Sequence, residues 1–227
     1  MTKAPRPGQV KTRLTPPLTP EEASALNICF LRDTASAISE TAHAGGARGL
    51  AVYTPAGAEE EVAGIMPDQF ELVLQRGDAL GERLSNAAED IFAVGFNALC
   101  LINSDSPTVP ASAYAQAVQW LLQPSDRIVL GPSDDGGYYL IGLNHMHRRV
   151  FEDIDWSTEH VFDQTMARAK EIGVPVELLP TWYDVDDHAT LCRLCDENLD
   201  DKAEMPGFPA PETRAFLRKL IAAKGPL

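Results

Sequence analysis

The chain has 227 residues, 44% of them hydrophobic, and a formal net charge of −14. That length suits one large domain with a sizeable core, and the acidity argues against non-specific binding to nucleic acid or anionic membranes. Cys29, Cys100, Cys192 and Cys195 are too few and too irregularly spaced for a disulfide scaffold.

Charge is spread unevenly. The first 20 residues carry Lys3, Arg6, Lys11 and Arg13 and no acid, which leaves −18 on the remainder against a total of −14. A basic island on an acidic chain suggests a local anion site; a solvated basic tail is the plain alternative. No signal peptide or membrane-length apolar run is present, so a cytoplasmic protein without a membrane partner is expected.

Met1–Leu14 reads as a loop, broken by Pro5, Pro7 and Gly8. A helix start follows, with Thr19 as N-cap, Pro20 at the first helical position and Glu22 completing a capping box. Ala23, Leu26, Phe30, Ala37 and Ile38 recur at helical spacing until Gly45 and Gly46. Gly49–Tyr53 and Phe70–Leu74 read as strands, with a Pro/Gly-bearing loop between them. Gln75–Asp78 leads into a helix marked by Leu80, Leu84, Ala87 and Ile91. Next come a strand over Ala98–Ile102, a helix from Pro110, and strands at Arg127–Leu130 and Tyr138–Leu143. A helix over Ser157–Ile172, a strand at Val174–Leu179, a helix after Asp187 and an amphipathic Pro211–Lys224 complete the chain. Such alternation predicts an α/β protein with a mostly parallel sheet. Neither GxGxxG nor GxxxxGK[ST] occurs, so the usual dinucleotide and P-loop readings fail.

Three polar loops leave strand ends, where ligands of open α/β sheets bind. Asn103–Pro107 puts Asp105 at a strand tip beside Ser104 and Ser106, as a cation ligand or as an Asx-type turn. Gly131–Gly137, GPSDDGG, carries Asp134 and Asp135 and reads either as a ligand loop or as a hairpin turn. Tyr183–Asp187 carries Asp184 and Asp186 on alternate positions, pointing one way if extended, with Asp187 suited to a helix N-cap. Capping accounts for one aspartate, not three. Carboxylates from two strand ends could hold Mg²⁺ or Mn²⁺ against substrate phosphates, and Lys11 and Arg13 could clamp a diphosphate. His43, His145, His147, His160 and His188 lack metal-ligand spacing, and the Cys192/Cys195 pair lacks the partners of a zinc site.

Taken in order, KAPRPGQVKTRL, QRGDALGERL, LINSDSPTVP, VLGPSDDGGYYLIGL, DIDWSTEHVFDQT and YDVDD resemble a bacterial family of GT-A-like glycosyltransferases of uncharacterised specificity. That family belongs with the nucleotide-diphospho-sugar transferases, and the likeness runs from Lys3 to about Leu194. KTRL also resembles the basic loop of sugar-activating nucleotidylyltransferases and of 2-phospholactate guanylyltransferase. YDVDD resembles the DxD of cytidylyltransferases that activate sialic acid.

The resemblance implies a GT-A-type, Rossmann-like three-layer α/β/α sandwich: one domain over 1–227, with 205–227 as a C-terminal helical extension. It implies metal binding by Asp105, Asp184 and Asp186, and nucleotide or phosphate binding by Lys3, Arg6, Gly8, Lys11, Thr12, Arg13, Asp78 and Ser104. Catalytic roles fall to Asp105, Asp134, Asp135 and Lys11. Gly136, Gly137, Tyr138, Trp156, Ser157 and Thr158 would line the sugar or acceptor side. The implied partners are a nucleotide or nucleotide-sugar donor, a small-molecule acceptor and a second copy in a homodimer.

Two departures stand out. Relatives begin with an apolar strand before the basic loop, whereas only Met1 and Thr2 precede Lys3 here, so neighbouring strands should lack a partner. Thr190 stands where relatives carry an acid. The leading functional expectation is metal-dependent glycosyl transfer from a nucleoside-diphosphate sugar. Nucleotidyl transfer releasing pyrophosphate, a nucleotide-binding protein without turnover, and a metal-dependent phosphohydrolase are the alternatives.

Overall fold

The computed structural model describes residues 1–199 and 207–227, without the side chains of residues 42–45. The side chain of His43 and the first two residues of the expected C-terminal extension lie outside the described residues. Two sheets form. In the first, β1 (Thr2–Lys3), β2 (Leu50–Thr54) and β3 (Glu71–Leu74) run parallel in the order β1-β2-β3. The second holds β4 (Leu99–Ile102), β5 (Ile128–Pro132), β6 (Tyr138–Leu143) and β7 (Val176–Leu178) in the order β4-β6-β5-β7.

The expectation of a mostly parallel sheet needs correcting here. β6 runs antiparallel to both β4 and β5, so the second sheet is mixed. The cause is the connection Ser133–Gly137, a hairpin loop in which Ser133 N donates to Gly137 O at 3.0 Å. A parallel crossover needs a dozen or so residues, and none are available.

Among the described residues seven helices cover the sheets. α1 (Pro20–Gly45) starts with the expected capping box: Glu22 N donates to Thr19 Oγ1 at 3.2 Å and Thr19 N to Glu22 Oε2 at 2.8 Å. α2 (Glu59–Ala63) replaces what reads as loop in the sequence; Glu59, Glu60 and Glu61 suit the positive end of its dipole. α3 (Leu80–Ala93), α4 (Ala111–Leu121) and α6 (His188–Leu199) fall where periodicity puts them. α5 (Val161–Glu171) begins four residues later than Ser157, whose φ of 66° is incompatible with a right-handed helix. α7 (Pro211–Lys224) packs on α1 and α6.

Alternation along the strands divides the core. Ile128 and Leu130 face α3 and α5 with Leu101 and Ile141, whereas Val129 and Leu140 face Ala37 of α1 and Tyr114, Ala117 and Leu121 of α4. Helix layers therefore lie on both sheet faces. No described helix is long and apolar enough to cross a membrane.

One long-range cap fixes the C-terminal helix. Asp33 of α1, 1% exposed, accepts from Glu212 N at 3.0 Å and Thr213 N at 2.8 Å. These are donors that a helix N-terminus leaves unpaired. Burial pushes the Asp33 carboxyl above the ordinary range even though these bonds pull it down. Asp33→Ala should cost about 1–2 kcal/mol, lowering the thermal midpoint by roughly 2–8 °C. Asp33→Asn, which keeps an acceptor, should lose less than half of that in the same melt.

Candidate active site

Three loops meet at the ends of β1 and β4. Lys11 lies in the loop after β1 and adopts a left-handed conformation, φ 47° and ψ 38°, before a 3₁₀ turn at Thr12–Leu14. A side chain other than glycine or asparagine seldom takes that shape unless its surroundings impose it. Here they do. The Lys11 side chain is only 4% exposed, and its Nζ donates to Val185 O and Asp186 Oδ1, both at 2.9 Å, and pairs with Asp105. Phe30 lies beneath, its ring centroid 5.4 Å from Nζ. Burial alone would lower the Lys11 pKa, but the Asp105 and Asp186 carboxylates outweigh it and hold the ammonium charged, its pKa raised.

Asp105 follows β4 on a turn in which its own N–H donates to Asn103 Oδ1 at 3.3 Å. Its carbonyl accepts from Val185 N at 2.9 Å, which ties the β4 tip to the Tyr183–Asp187 segment. Asp105 thus sits in an Asx-type turn headed by Asn103, and its carboxylate faces the Lys11 ammonium.

Asp184 and Asp186 converge on this place with different partners. Asp186 takes Lys11 on one oxygen and Arg13 Nη2 on the other, at 2.6 Å. Asp184 Oδ1 accepts from Asn103 Nδ2 at 2.9 Å, Ser133 Oγ at 3.1 Å and Ser106 Oγ. Burial pushes the Asp184 carboxyl up to about 6, with Asp105 and Asp135 adding to the rise and the Ser106 and Asn103 bonds opposing it. Asp187 caps α6 by accepting from Thr190 N at 2.9 Å, which holds its carboxyl below the usual range. Thr190, the departure noted in the sequence, returns its hydroxyl to the N–H groups of Asp186 and Asp187.

The hairpin loop stands beside this cluster. Asp134 Oδ2 accepts from Arg193 Nη1 of α6 at 2.7 Å, and the Arg193 guanidinium stacks 3.7 Å from the Tyr183 ring centroid. Asp135 Oδ1 accepts from Gly137 N at 2.9 Å. Gly136, at φ 88°, lies so close to Glu159 that a Cβ would meet its carbonyl oxygen at 2.2 Å. The loop therefore packs on Glu159 and the start of α5, where Phe162 N donates to Gly136 O at 2.8 Å.

The remaining expected residues sit apart. Lys3 Nζ donates to Gln9 O at 3.0 Å within its own loop, and Arg6 pairs with Glu61 of α2 at 3.0 Å. Gly8 has open space around it. Asp78 precedes α3, and its backbone N–H donates to Glu82 Oε2 at 3.0 Å. Ser104 is half-buried beside Asp105. Tyr138 meets Trp156 edge-to-face at 6.4 Å with its hydroxyl buried, and Thr158 Oγ1 donates to Asp155 O at 2.7 Å. His188 is exposed, 3.4 Å from Cys192 Sγ, and all four cysteines are free. Asn103, Ser133 and Arg193 also belong to the cluster. Asn103 and Ser133 lie in the polar loops that follow β4 and β5, but Arg193 is 59 residues from Asp134 and no local pattern reveals it.

Among the described residues no group of three or more His, Cys, Asp or Glu is arranged to hold a metal. Asp105 and Asp186 do face one common cation, the Lys11 ammonium, and two carboxylates completed by phosphate oxygens is the donor set Mg²⁺ commonly takes.

A family model described as an uncharacterized protein conserved in bacteria, DUF2064, matches residues 37–158, just over half of the chain. The chain belongs to the DUF2064 family. The matched stretch spans Asp105 and the GPSDDGG loop and leaves Lys11, Asp184 and Asp186 outside it. This DUF2064 chain is also similar to a crystal structure from Desulfovibrio desulfuricans G20, of a protein provisionally named a nucleotide-diphospho-sugar transferase. The two share 30% identity and a TM-score of 0.85, covering 97% of this chain and 93% of the other. No curated protein matches.

The Asp184 environment has a measurable sign. Its folded pKa, about 6, lies above the ordinary carboxylate value of 3.8, so the stability it contributes is full below pH 4 and lost as pH rises through 6. In buffer with chelator, denaturant unfolding of the native chain relative to Asp184→Asn should lose about 1–3 kcal/mol between pH 4 and 7. A pH-independent difference would show that the carboxyl is not perturbed.

Proposed function

We propose that the protein is a metal-dependent transferase that takes a nucleoside-diphosphate sugar and passes the glycosyl group to a small-molecule acceptor. One observation carries this reading. The buried Lys11 ammonium, the exposed Arg13 and the Asp105 and Asp186 carboxylates meet where β1 and β4 end. The likeness to the Desulfovibrio protein supports the same class.

In this reading Lys11 and Arg13 hold the diphosphate, and their positive charge offsets what develops on the leaving phosphate oxygens. Asp105 and Asp186 would hold Mg²⁺ or Mn²⁺, whose contribution is further neutralisation of the phosphates. Asp184, kept in place by Asn103, Ser106 and Ser133, orients the β4 tip against the hairpin loop. Asp134 and Asp135, on that loop, face the acceptor side. The acidic surface leaves nucleic acid and anionic membranes outside the set of partners, and a homodimer in the cytoplasm completes the proposal.

A second reading has its own support. A buried lysine paired to two carboxylates serves nucleotidyl transfer equally well, because pyrophosphate is the same kind of leaving group. Thermal-shift screening of NTPs and NDP-sugars with and without Mn²⁺, followed by product analysis, separates the two. A ligand at 100 times its Kd adds about 2.7 kcal/mol, or roughly 5–10 °C here. The expected result is a Mn²⁺-dependent shift with one NDP-sugar, absent in Asp105→Ala, with free NDP released on turnover. Release of pyrophosphate from an NTP would select nucleotidyl transfer, and a shift without turnover would mark a binding protein. Lys11→Met should lower kcat/KM about 100- to 1,000-fold. Full activity in that variant would remove Lys11 from the reaction.

A further inference from the structure

A hollow of about 470 Å³ opens beside α6, walled by Cys192, Cys195, Asp196 and Leu199 of that helix and by Ile221 and Leu227 from α7 and the residues after it. His188, Cys192 and Cys195 stand at positions i, i+4 and i+7, so all three fall on one helix face. Cys192 Sγ lies 3.4 Å from Nε2 of the exposed His188 and 3.7 Å from Leu227 O. Both thiols are free and half-buried. They differ in surroundings. Burial, with Cys192 and Asp196 adding to it, pushes the Cys195 thiol up to about 11, so Cys195 keeps its proton. Cys192 has an imidazole in reach to take its proton, and the thiolate is the form of cysteine that attacks.

We propose that His188, Cys192 and Cys195 form a reversible oxidation site for hydroperoxides, in which Cys192 is oxidised first and Cys195 then closes a disulfide with it. With the ring proton on Nδ1, His188 Nε2 takes the Cys192 proton. The sulfur attacks the peroxide, an S–O bond forms as the O–O bond breaks, and the departing oxygen recovers the proton and leaves as water or an alcohol. Cys195 sulfur then attacks the Cys192 sulfenic acid. The S–S bond forms, the S–O bond breaks, and hydroxide leaves as water with the Cys195 proton. Two electrons pass from the two thiols to the peroxide, so atoms and charge balance.

Helix geometry makes the bond reachable and labile. Residues three apart on a helix have Cα atoms about 5 Å apart, inside the range a disulfide accepts. Their Cβ atoms are about 5–6 Å apart, whereas a relaxed disulfide takes about 3.8 Å. Closing the bond therefore tightens one turn of α6 by roughly 1–2 Å, and the hollow beside it leaves the sulfurs room to move. Strain of that kind makes a disulfide easy to reduce, the mark of a transient, sensing bond and not of a structural one. Arg193 lies within the same turn and carries the contacts to Asp134 and the Tyr183 ring, so oxidation is felt at the hairpin loop. Nothing in this pairing requires the proposed transferase activity.

Treating the full, reduced protein with a small molar excess of hydrogen peroxide, alkylating the remaining thiols and mapping tryptic peptides by mass tests this. Trypsin cuts after Arg193, between the two cysteines, so the disulfide joins two peptides that dithiothreitol separates. The expected product is a chain lighter by two hydrogens that yields the joined pair. Cys29 and Cys100, whose thiols burial pushes up to about 11 and about 12, should still alkylate after unfolding. In Cys195→Ser the sulfenic acid should persist on Cys192 and take up dimedone, whereas Cys192→Ser should leave Cys195 reduced. His188→Gln should slow loss of the Cys192 thiol about tenfold and give the same product. Thermal midpoints check that each variant folds, and the peptide map of the native chain needs no variant. Oxidation of Cys29 or Cys100 as fast as Cys192 would overturn the proposal. So would modification of Cys195 first, a Cys192 disulfide formed only with a second copy, or an unchanged rate in His188→Gln.

Discussion

A lysine ammonium almost closed off from water is tolerable only if its charge and its three N–H groups are met. Lys11 meets Val185 O, Asp186 and Asp105. The arrangement joins parts of the chain that share no sheet: Lys11 follows β1, Asp105 follows β4, and Asp186 precedes α6. Two separate sheets are thereby pinned at one end by a single buried charge. Removing any one partner would strand the others, which is why such pairs are more costly to break than to build.

Around that charge, neighbouring aspartates do opposite things. Asp186 is balanced by two cations, while Asp184, two residues earlier, meets only hydroxyls and an amide and is driven toward its neutral form. Such a split gives one short segment both a carboxylate paired to two cations and a carboxyl whose burial raises its pKa. Each belongs to a different wall, Asp186 to the basic loop and Asp184 to the β4 tip and the hairpin.

Features governed by adjacent residues were legible in the sequence. Thr19, Pro20 and Glu22 announce α1 because a capping box is closed within one turn, and Asp187 announces α6 for the same reason. Asp105, Lys11, Asp184 and Asp186 stand out as unusual residues at strand ends, but which of them meets Lys11 and which meets Ser133 depends on loops meeting in space. The direction of β6 was within reach: Ser133–Gly137 is too short for a crossover, though its turn-forming residues suit a ligand loop and a hairpin equally. Asp33 was not within reach. It looks like an ordinary helix residue until α7 arrives, 180 residues later, to be capped.

Arg193 shows what the connections imply for the site as a working surface. It stacks on Tyr183, grips Glu197 on its own helix and reaches Asp134 on the hairpin loop, with both charged partners open to water. Ionic contacts of that kind weaken as mobile ions accumulate, whereas the buried Lys11 pair is shielded from them. The two halves of the site therefore respond unequally to ionic strength. Concentrated electrolyte weakens the Arg193 contacts with Asp134 and Glu197 while the buried Lys11 pairs persist, so the hold of α6 on the hairpin loop is set in part by the solution around it.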